Sequence, residues 1–260
     1  MKKHIKKKFL NQVQLTDEVQ KILDESNKGI PVSEISKIKS IPKEYTGILI
    51  TDMGIAFQAF QYKYQGQNRF IPEPDPVLVY FHSAYLNYRL IDEKKNVILK
   101  NLLTSNVGEP MINELYEYFG LTSGFVIFLF TALEAFMNRC IPKDFVYIKP
   151  EKKYTITYDK RQIEEYLSFD EKIKTVLPKA KEKNFIKQFP LKWNHIVNLK
   201  EFRDSIVHTK ASKEGSSPYD YIYKKALDFK YEESINAVKD FCNYYHELNY
   251  ITECDCNKDW

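Results

Sequence analysis

An arginine, an aspartate and a histidine lie close together in the segment EFRDSIVHTK, residues 201–210, and these side chains can act on a charged ligand. Arg203 carries a permanent positive charge, and its planar guanidinium matches the geometry of carboxylates and phosphates. His208 carries an imidazole, the side chain type that most readily exchanges a proton near neutral pH. Asp204 precedes His208 by four residues, a helical spacing at which a carboxylate reaches and orients an imidazole. The three residues therefore predict a site that binds an anion and transfers a proton.

The helix that must position these residues is expected to begin at Pro190 and to extend to about Thr209. At about 100° per residue, Arg203 falls between Ile196 and Leu199, in the middle of a wide apolar arc. An unpaired buried charge costs several kcal/mol, so Arg203 needs an acidic partner or an anionic ligand. His195 lies within the same arc, and we expect it to be a core or interface histidine.

Glu134 is a second charge in an apolar setting, because it is the lone carboxylate of the segment FVIFLFTALEAFMNR, residues 125–139. We expect Glu134 to pair with Arg203 between two core helices. Helix geometry alone favours the interpretation that this pair is a buried ion pair that holds two core helices together. His208 would then have no catalytic role and would lie near the negative end of the helix dipole.

The segment RDSIVH, residues 203–208, resembles the signature of the HEPN superfamily, in which an arginine is followed by a polar residue and, a few positions later, by a histidine. The segment ALEAFMNR, residues 132–139, resembles the glutamate-bearing core helix of the abortive-infection-like members. The segment SFDEKIKTVLP, residues 168–178, resembles their intervening helix. The resemblance covers roughly residues 110–250, and residues 1–105 resemble no family.

The resemblance implies a metal-independent endoribonuclease that acts as a homodimer, as in toxins and antiphage defence proteins. RNA supplies its own nucleophile, the 2′-OH, so the resemblance implies no cofactor and no metal. Arg203 would bind the phosphate and stabilise the transition state, His208 would transfer the proton, and Asp204 would orient His208 or contact the RNA. The implied supporting residues are Glu134, Asn138 and Ser205. A cognate antitoxin or regulatory protein is a further implied partner.

The helix geometry gives its own reason to expect a dimer. On an ideal helix Arg203 and His208 point about 140° apart, which does not suit one phosphate. A two-fold axis along this helix would place an arginine and a histidine from two protomers in one shared cleft. The competing hypothesis is a catalytically silent HEPN-like helical module that binds a protein partner or RNA and uses Glu134 and Arg203 only for its architecture.

The composition limits the class of protein. The chain has 260 residues, 43% of them hydrophobic, and a net charge of +4, so it can bury a core and tolerates an anionic partner. Five of the first eight residues are lysine, but no apolar stretch follows them, so no secretory signal and a cytoplasmic location are expected. The longest apolar run, 125–133, is too short for a bilayer, and we expect no membrane partner. The four cysteines are expected to be free thiols: Cys140, Cys242, Cys254 and Cys256.

The predicted fold is mostly α. Residues 1–105 form an N-terminal region of unknown role, in which GILITDMGIAFQAFQYKY, residues 47–64, fits either a β-hairpin turning near 52–54 or a helix. Asp75 and Pro76 are expected to start a helix over 76–91. Residues 106–260 are expected to form a HEPN-like helical bundle. It is expected to start with a helix ending at Gly120, followed by a core helix that Thr122 or Ser123 caps and Pro142 stops. A β-like connector at 154–162 and a helix capped by Ser168 are expected next. The last expected element is an amphipathic helix over 231–251, with five apolar residues on one side: Ile235, Val238, Phe241, Tyr245 and Leu248.

Overall fold

Helices dominate the computed structural model, as the sequence predicts. The structure describes residues 4–11, 13–14, 17, 46–50, 55–103, 109–211, 217–246 and 248–254. They divide into two compact units, one formed by Lys7–Leu78 and the other by Met1–Lys6 together with Val79–Trp260. The boundary predicted after residue 105 falls at 104–108, outside the described residues.

The unit Lys7–Leu78 contains an antiparallel sheet, in which β3 pairs with every other strand. The strands are β1 (Val13–Gln14), β2 (Thr46–Ile50), β3 (Ile55–Tyr64) and β4 (Gln67–Pro72). Of the two interpretations of residues 47–64, the hairpin is correct, because β2 and β3 pair in antiparallel register; their turn lies outside the described residues. Gln65 and Gly66 both have positive φ, which gives the tight β3–β4 turn the twist that a two-residue hairpin requires.

Helix α1 (Pro76–Leu103) begins where the sequence predicts. The Asp75 carboxylate accepts a hydrogen bond from the Val77 backbone N–H, with 3.1 Å between Oδ1 and N, and proline suits the first helical position. The helix continues well beyond residue 91, because its buried side chains, including Ile98, keep a helical spacing to its end.

Helix α2 (Glu109–Cys140) is one continuous helix, so the predicted end at Gly120 and the predicted caps Thr122 and Ser123 are wrong. The Thr122 hydroxyl donates to the Phe119 carbonyl at 3.0 Å, a bond within the helix that needs no cap. Burial of Tyr118 and Phe125 on either side outweighs the weak helix propensity of glycine. The helix ends two residues before Pro142, as expected.

The segment after α2 contains the predicted β-like connector. Strands β5 (Tyr147–Pro150) and β6 (Thr155–Tyr158) form a second antiparallel pair. Helix α3 (Lys160–Tyr166) follows, capped by Asp159, whose carboxylate accepts from the Gln162 backbone while the Gln162 side chain accepts from the Asp159 backbone.

A π-helical turn interrupts the helix that the sequence predicts after Ser168. Ser168 caps it as expected, since its Oγ accepts from the Glu171 backbone N–H at 3.2 Å. The elements are α4 (Phe169–Glu171), the π-helical turn Lys172–Val176, α5 (Leu177–Lys181) and α6 (Phe185–Gln188). The π-helical turn places the Lys172 side chain inside the unit, where it is 6% exposed.

The remaining helices pack around α2 and form the core of the larger unit. They are α7 (Pro190–Val207), α8 (Asp220–Asp228) and α9 (Tyr231–Tyr245). The sequence predicts α7 and α9 but not α8. On α9 the predicted apolar face is buried at Ile235, Val238, Phe241 and Tyr245, whereas Leu248 lies beyond the helix and is exposed.

Helix α2 is also long and apolar enough, by length and composition over Met111–Cys140, to cross a membrane. The longest apolar run, 125–133, lies between Gly124 and Glu134, so its length alone understates this property. Its packing against α7, α8 and α9 is the arrangement of a core helix.

Candidate functional site

Helix α7 carries the candidate site on the side that faces α2. Its buried residues, Ile196, Leu199 and Phe202, recur at helical spacing and fix the helix against the core. Arg203 follows Phe202 directly and lies at the border of this buried face. Its side chain is 31% exposed, so it is neither fully buried nor fully solvated.

Two contacts hold the Arg203 guanidinium. Its Nη1 donates a hydrogen bond to Oδ1 of Asp204 at 2.9 Å. Its central carbon lies 5.0 Å from the ring centroid of Phe130 on α2, which is a cation–π contact. The guanidinium is thus oriented by a carboxylate on one side and an aromatic ring on another, with part of its surface open to a ligand.

The Asp204 carboxylate serves two cations. Besides the bond from Arg203, Oδ2 of Asp204 lies 3.1 Å from Nζ of Lys200, one turn earlier on α7. The same Nζ lies 3.7 Å from Oδ2 of Asp170. Burial alone would raise the pKa of Asp204, but the hydrogen bonds from Arg203 and Lys200 lower it below its usual value. Asp204 is therefore a fixed anion between two positive side chains.

His208 is exposed and lies directly after the last residue of α7. Its backbone N–H donates to the Asp204 carbonyl at 2.9 Å, and its backbone then leaves the helical conformation, with φ −110° and ψ 47°. Within the described part of the chain, no hydrogen bond joins the Asp204 carboxylate to the imidazole, so the expected contact between these side chains is wrong. The reason is that the spacing argument requires a helix through both residues, and Asp204 has two cations as closer partners.

The expected pair between Glu134 and Arg203 is also wrong. Among the residues that the structure describes, no ion pair within 4 Å links them, and Arg203 pairs with Asp204 instead. Glu134 interacts electrostatically with Lys172 instead. Burial lowers the pKa of Lys172, and the negative charges of Glu134 and Glu164 offset part of that decrease. A carboxylate near the almost fully buried Lys172 offsets part of the cost of burying its charge, whereas an ion pair nearer the surface contributes little to stability.

The remaining supporting residues lie in other contacts. The Asn138 side chain accepts a hydrogen bond from Nζ of Lys172 at 3.1 Å, so it belongs with Glu134 and Lys172. The Ser205 hydroxyl donates to the Glu201 carbonyl at 2.7 Å within α7. Arg203 and Asp204 are thus brought together, His208 stands near them at the helix end, and Glu134 and Asn138 form a separate cluster.

Two lysines were missed by the sequence reasoning. Lys200 holds Asp204, and its spacing of four residues on α7 was a readable signal. Lys172 occupies the core through a π-helical turn, which leaves no recognised mark in a sequence. Within the described residues, no group of three or more histidine, cysteine, aspartate or glutamate side chains could hold a metal ion.

The candidate site is therefore defined by residue chemistry and helix geometry. The HEPN resemblance of residues 110–250 stays a prediction from sequence. The chain matches no family model, and no curated protein or solved structure was found to be similar to it.

Proposed function

We propose that the helical unit is a metal-independent endoribonuclease in which Arg203 and His208 act on an RNA phosphate. The observation that carries the proposal is the state of Arg203, whose guanidinium contacts Asp204 and Phe130 while the side chain as a whole stays about one-third exposed. We expect the side chain of an arginine needed only for packing to be covered completely by its neighbours. An arginine that is held in one orientation and left partly uncovered is suited to bind a phosphate.

The roles follow from the contacts. Arg203 binds the scissile phosphate and stabilises the extra negative charge that develops when the 2′-OH attacks. His208, exposed at the end of the same helix, transfers the proton to or from the reacting oxygens. Asp204 acts as a positioning residue, because its carboxylate holds the guanidinium in place. Lys200 holds the Asp204 carboxylate in turn and adds positive charge beside the phosphate.

A homodimer completes the proposed site. Two exposed apolar side chains, which we call the apolar rim, lie near Arg203 in sequence or next to its contact Phe130: Val207, four residues later on α7, is 49% exposed, and Ile127, three residues before Phe130 on α2, is 38% exposed. Such side chains suit a surface that another protein covers, because the core of an interface is more apolar than the rest of a protein surface. A two-fold axis here would bring Arg203 of one protomer near His208 of its partner.

The biological role that we propose is that of a cytoplasmic toxin or antiphage defence effector, with a cognate antitoxin or regulatory protein as a further partner. This role rests on the resemblance of residues 203–208 and 132–139 to HEPN proteins. Induced expression in a bacterial host should arrest growth, and the His208→Ala variant should relieve the arrest.

The deciding experiment is cleavage of single-stranded RNA in the presence of EDTA. Wild-type protein should leave 2′,3′-cyclic phosphate and 5′-OH ends and should not cut DNA, which lacks the 2′-OH. His208→Ala and Arg203→Ala should each lose at least about a hundredfold in rate. The matched controls are His246→Ala and Arg161→Ala, which remove the same side-chain types at the end of α9 and on α3, and they should cleave at the wild-type rate. Dependence on Mg²⁺, or equal activity in all four variants, would refute the proposal.

A second candidate is a catalytically silent helical module that binds RNA or a protein. The observation in its favour is that Asp204 already supplies a hydrogen-bond acceptor to Arg203 within one chain. Such a module would bind RNA in a filter assay, would lose that binding in the Arg203→Ala variant, and would leave the RNA intact.

A further inference from the structure

A cavity of about 190 Å³ lies in the helical unit, where α7 and α8 meet the beginning of α9. Its lining residues come from the three helices and the link before α9: His195, Asn198, Lys225, Asp228, Phe229, Lys230 and Ser234. The cavity has about the volume that six water molecules occupy in the liquid. It is therefore large enough for a small ligand such as a phosphate group.

Two polar atoms of this lining are buried and have no hydrogen-bond partner in the described part of the chain. They are Nδ1 of His195 and Oγ of Ser234, and Ser234 as a whole is 1% exposed. Buried polar groups in folded proteins nearly always have a partner, because an unsatisfied one costs about 1–3 kcal/mol. Two such atoms beside one cavity point to a ligand that supplies the missing hydrogen bonds.

Most of the surface that lines the cavity is apolar, and its polar groups include two lysines and the side chains of His195, Asn198 and Ser234. The Lys225 ammonium has only a distant acidic partner within the described residues, with 3.8 Å between its Nζ and Oε2 of Glu201. Burial lowers the pKa of Lys225, and the negative charges of Glu201 and Asp204 offset part of that decrease. A bound anion would act in the same direction as these carboxylates and favour the charged form of Lys225. Asp228 is the carboxylate of this lining and can accept a hydrogen bond from a protonated oxygen of the ligand.

The start of α9 adds no net positive charge to the site, because Glu232 and Glu233 lie in its first turn. The attraction for an anion therefore comes from the side chains of the lining.

We propose that this cavity binds an oxyanion, a phosphate or phosphate monoester, through Lys225, His195 and Ser234. The site is separate from the residues assigned to RNA cleavage, and its occupancy is measured by binding rather than by activity.

The test is binding of inorganic phosphate to the full chain, measured by calorimetry and by thermal unfolding against chloride at equal ionic strength. Wild-type protein should show saturable binding and a phosphate-dependent rise in Tm. Lys225→Gln should weaken binding at least about tenfold, because it removes a charge that contacts the ligand. Lys224→Gln is the matched control, since Lys224 is the neighbouring lysine, 72% exposed and paired with Asp220, and it should bind as wild type does.

Ser234→Ala provides a second variant if Lys225→Gln fails to fold. It should be at least as stable as wild type without phosphate, because an unsatisfied hydroxyl is removed, and it should bind phosphate more weakly. Absence of saturable phosphate binding to wild type would overturn the proposal, and so would an equal loss in the Lys224→Gln and Lys225→Gln variants. Adenosine monophosphate and 5′-phosphorylated RNA, titrated beside inorganic phosphate, identify the source of the anion by the tightest binding.

Discussion

The guanidinium of Arg203 donates to the carboxylate of its sequence neighbour Asp204, with 2.9 Å between Nη1 and Oδ1, and not to Glu134 on the neighbouring core helix. Because both residues belong to α7, this ion pair does not connect α7 to α2. The contact that Arg203 makes across the helices is with the Phe130 ring. Arg203 therefore retains a charged surface that a ligand can reach, while the packing of the two helices depends on apolar side chains.

Replacement of Asp204 by asparagine tests how this carboxylate contributes to stability. Its folded pKa lies below the usual value of 3.8, so the stabilising effect is fully present above that value. The effect is lost as the pH falls through the lower folded pKa. Urea unfolding should show Asp204→Asn less stable than wild type by about 0.5–1 kcal/mol at pH 7, the size expected for a largely exposed pair. The difference should shrink below about pH 3.8; a difference that grows in acid would contradict the assignment.

Lys172 should give a pH dependence in the opposite range. Its folded pKa lies below the usual value of 10.5 because of burial, so the unfolded chain holds more protons between the two values. The wild-type protein should therefore gain stability relative to Lys172→Met as the pH rises through the folded pKa toward 10.5. Lys174→Met is the control, because Lys174 is exposed and pairs with Asp170 on the surface. A flat difference between wild type and Lys172→Met, from neutral pH up to about 10.5, would show that Lys172 is well solvated.

Two glycines of α2 should respond differently to replacement by alanine. Gly120 lies inside the helix, and a methyl group added there would meet no neighbouring atom of the described residues within 4 Å, so Gly120→Ala should stabilise the protein by about 0.5–1 kcal/mol. At Gly124 an added Cβ would lie 2.6 Å from Nδ2 of Asn87 on α1, so that side chain must move and the gain should be smaller or absent. Thermal unfolding of both variants measures the difference. Equal stabilisation would show that the Asn87 amide moves away freely.

The proposed dimer predicts that the apolar rim around Arg203 is buried in solution. Sedimentation of the wild type should give a dimer at micromolar concentration, and Val207→Asp should give a folded, inactive monomer, because a charge would be buried at the interface. Leu248→Asp places the same charge at a residue that is 76% exposed and distant in sequence from the rim, and it should remain dimeric. A wild-type protein that is monomeric and fully active would refute the shared cleft.

Mixing two inactive chains refines the same prediction. Arg203→Ala and His208→Ala protomers should together regain part of the activity if one composite site takes its arginine and its histidine from different chains. Recovery would be measured with the RNA cleavage assay after refolding the mixed chains. The unmixed variants, refolded in the same way, provide the baseline.

Local rules predicted those elements whose ends depend on neighbouring residues. Asp75 with Pro76, Ser168 with Glu171, and Pro142 after α2 each act within a few residues, and the structure has the expected caps and stops. The break at Gly120 was wrong because the residue on its own favours an end, whereas the core around α2 favours continuation. Helix propensity is worth about 1 kcal/mol at a glycine, less than the burial of one large side chain.

The candidate site shows the same division between local and long-range effects. A helical wheel placed Arg203 in the middle of an apolar arc with Ile196 and Leu199, whereas the structure has it partly exposed at the border of the buried face. The wheel could not show that Asp204, the next residue, turns toward the guanidinium, since neighbouring positions point about 100° apart on an ideal helix. Nor could it show that Glu134 acts on Lys172, because the π-helical turn that buries this lysine forms through tertiary packing.

The bridge between residues 4–6 and 252–254 has a consequence for how the protein folds during synthesis. Ile5 is 2% exposed and pairs with Glu253, the Lys6 backbone N–H donates to the Thr252 carbonyl at 2.8 Å, and the Cys254 N–H donates to the His4 carbonyl. The first of these residues leaves the ribosome almost a whole chain before its partners. The helical unit can complete this bridge only after residue 254 has emerged. Deleting residues 1–78 would therefore remove the buried Ile5 and its bridge from the helical unit, in addition to the unit Lys7–Leu78.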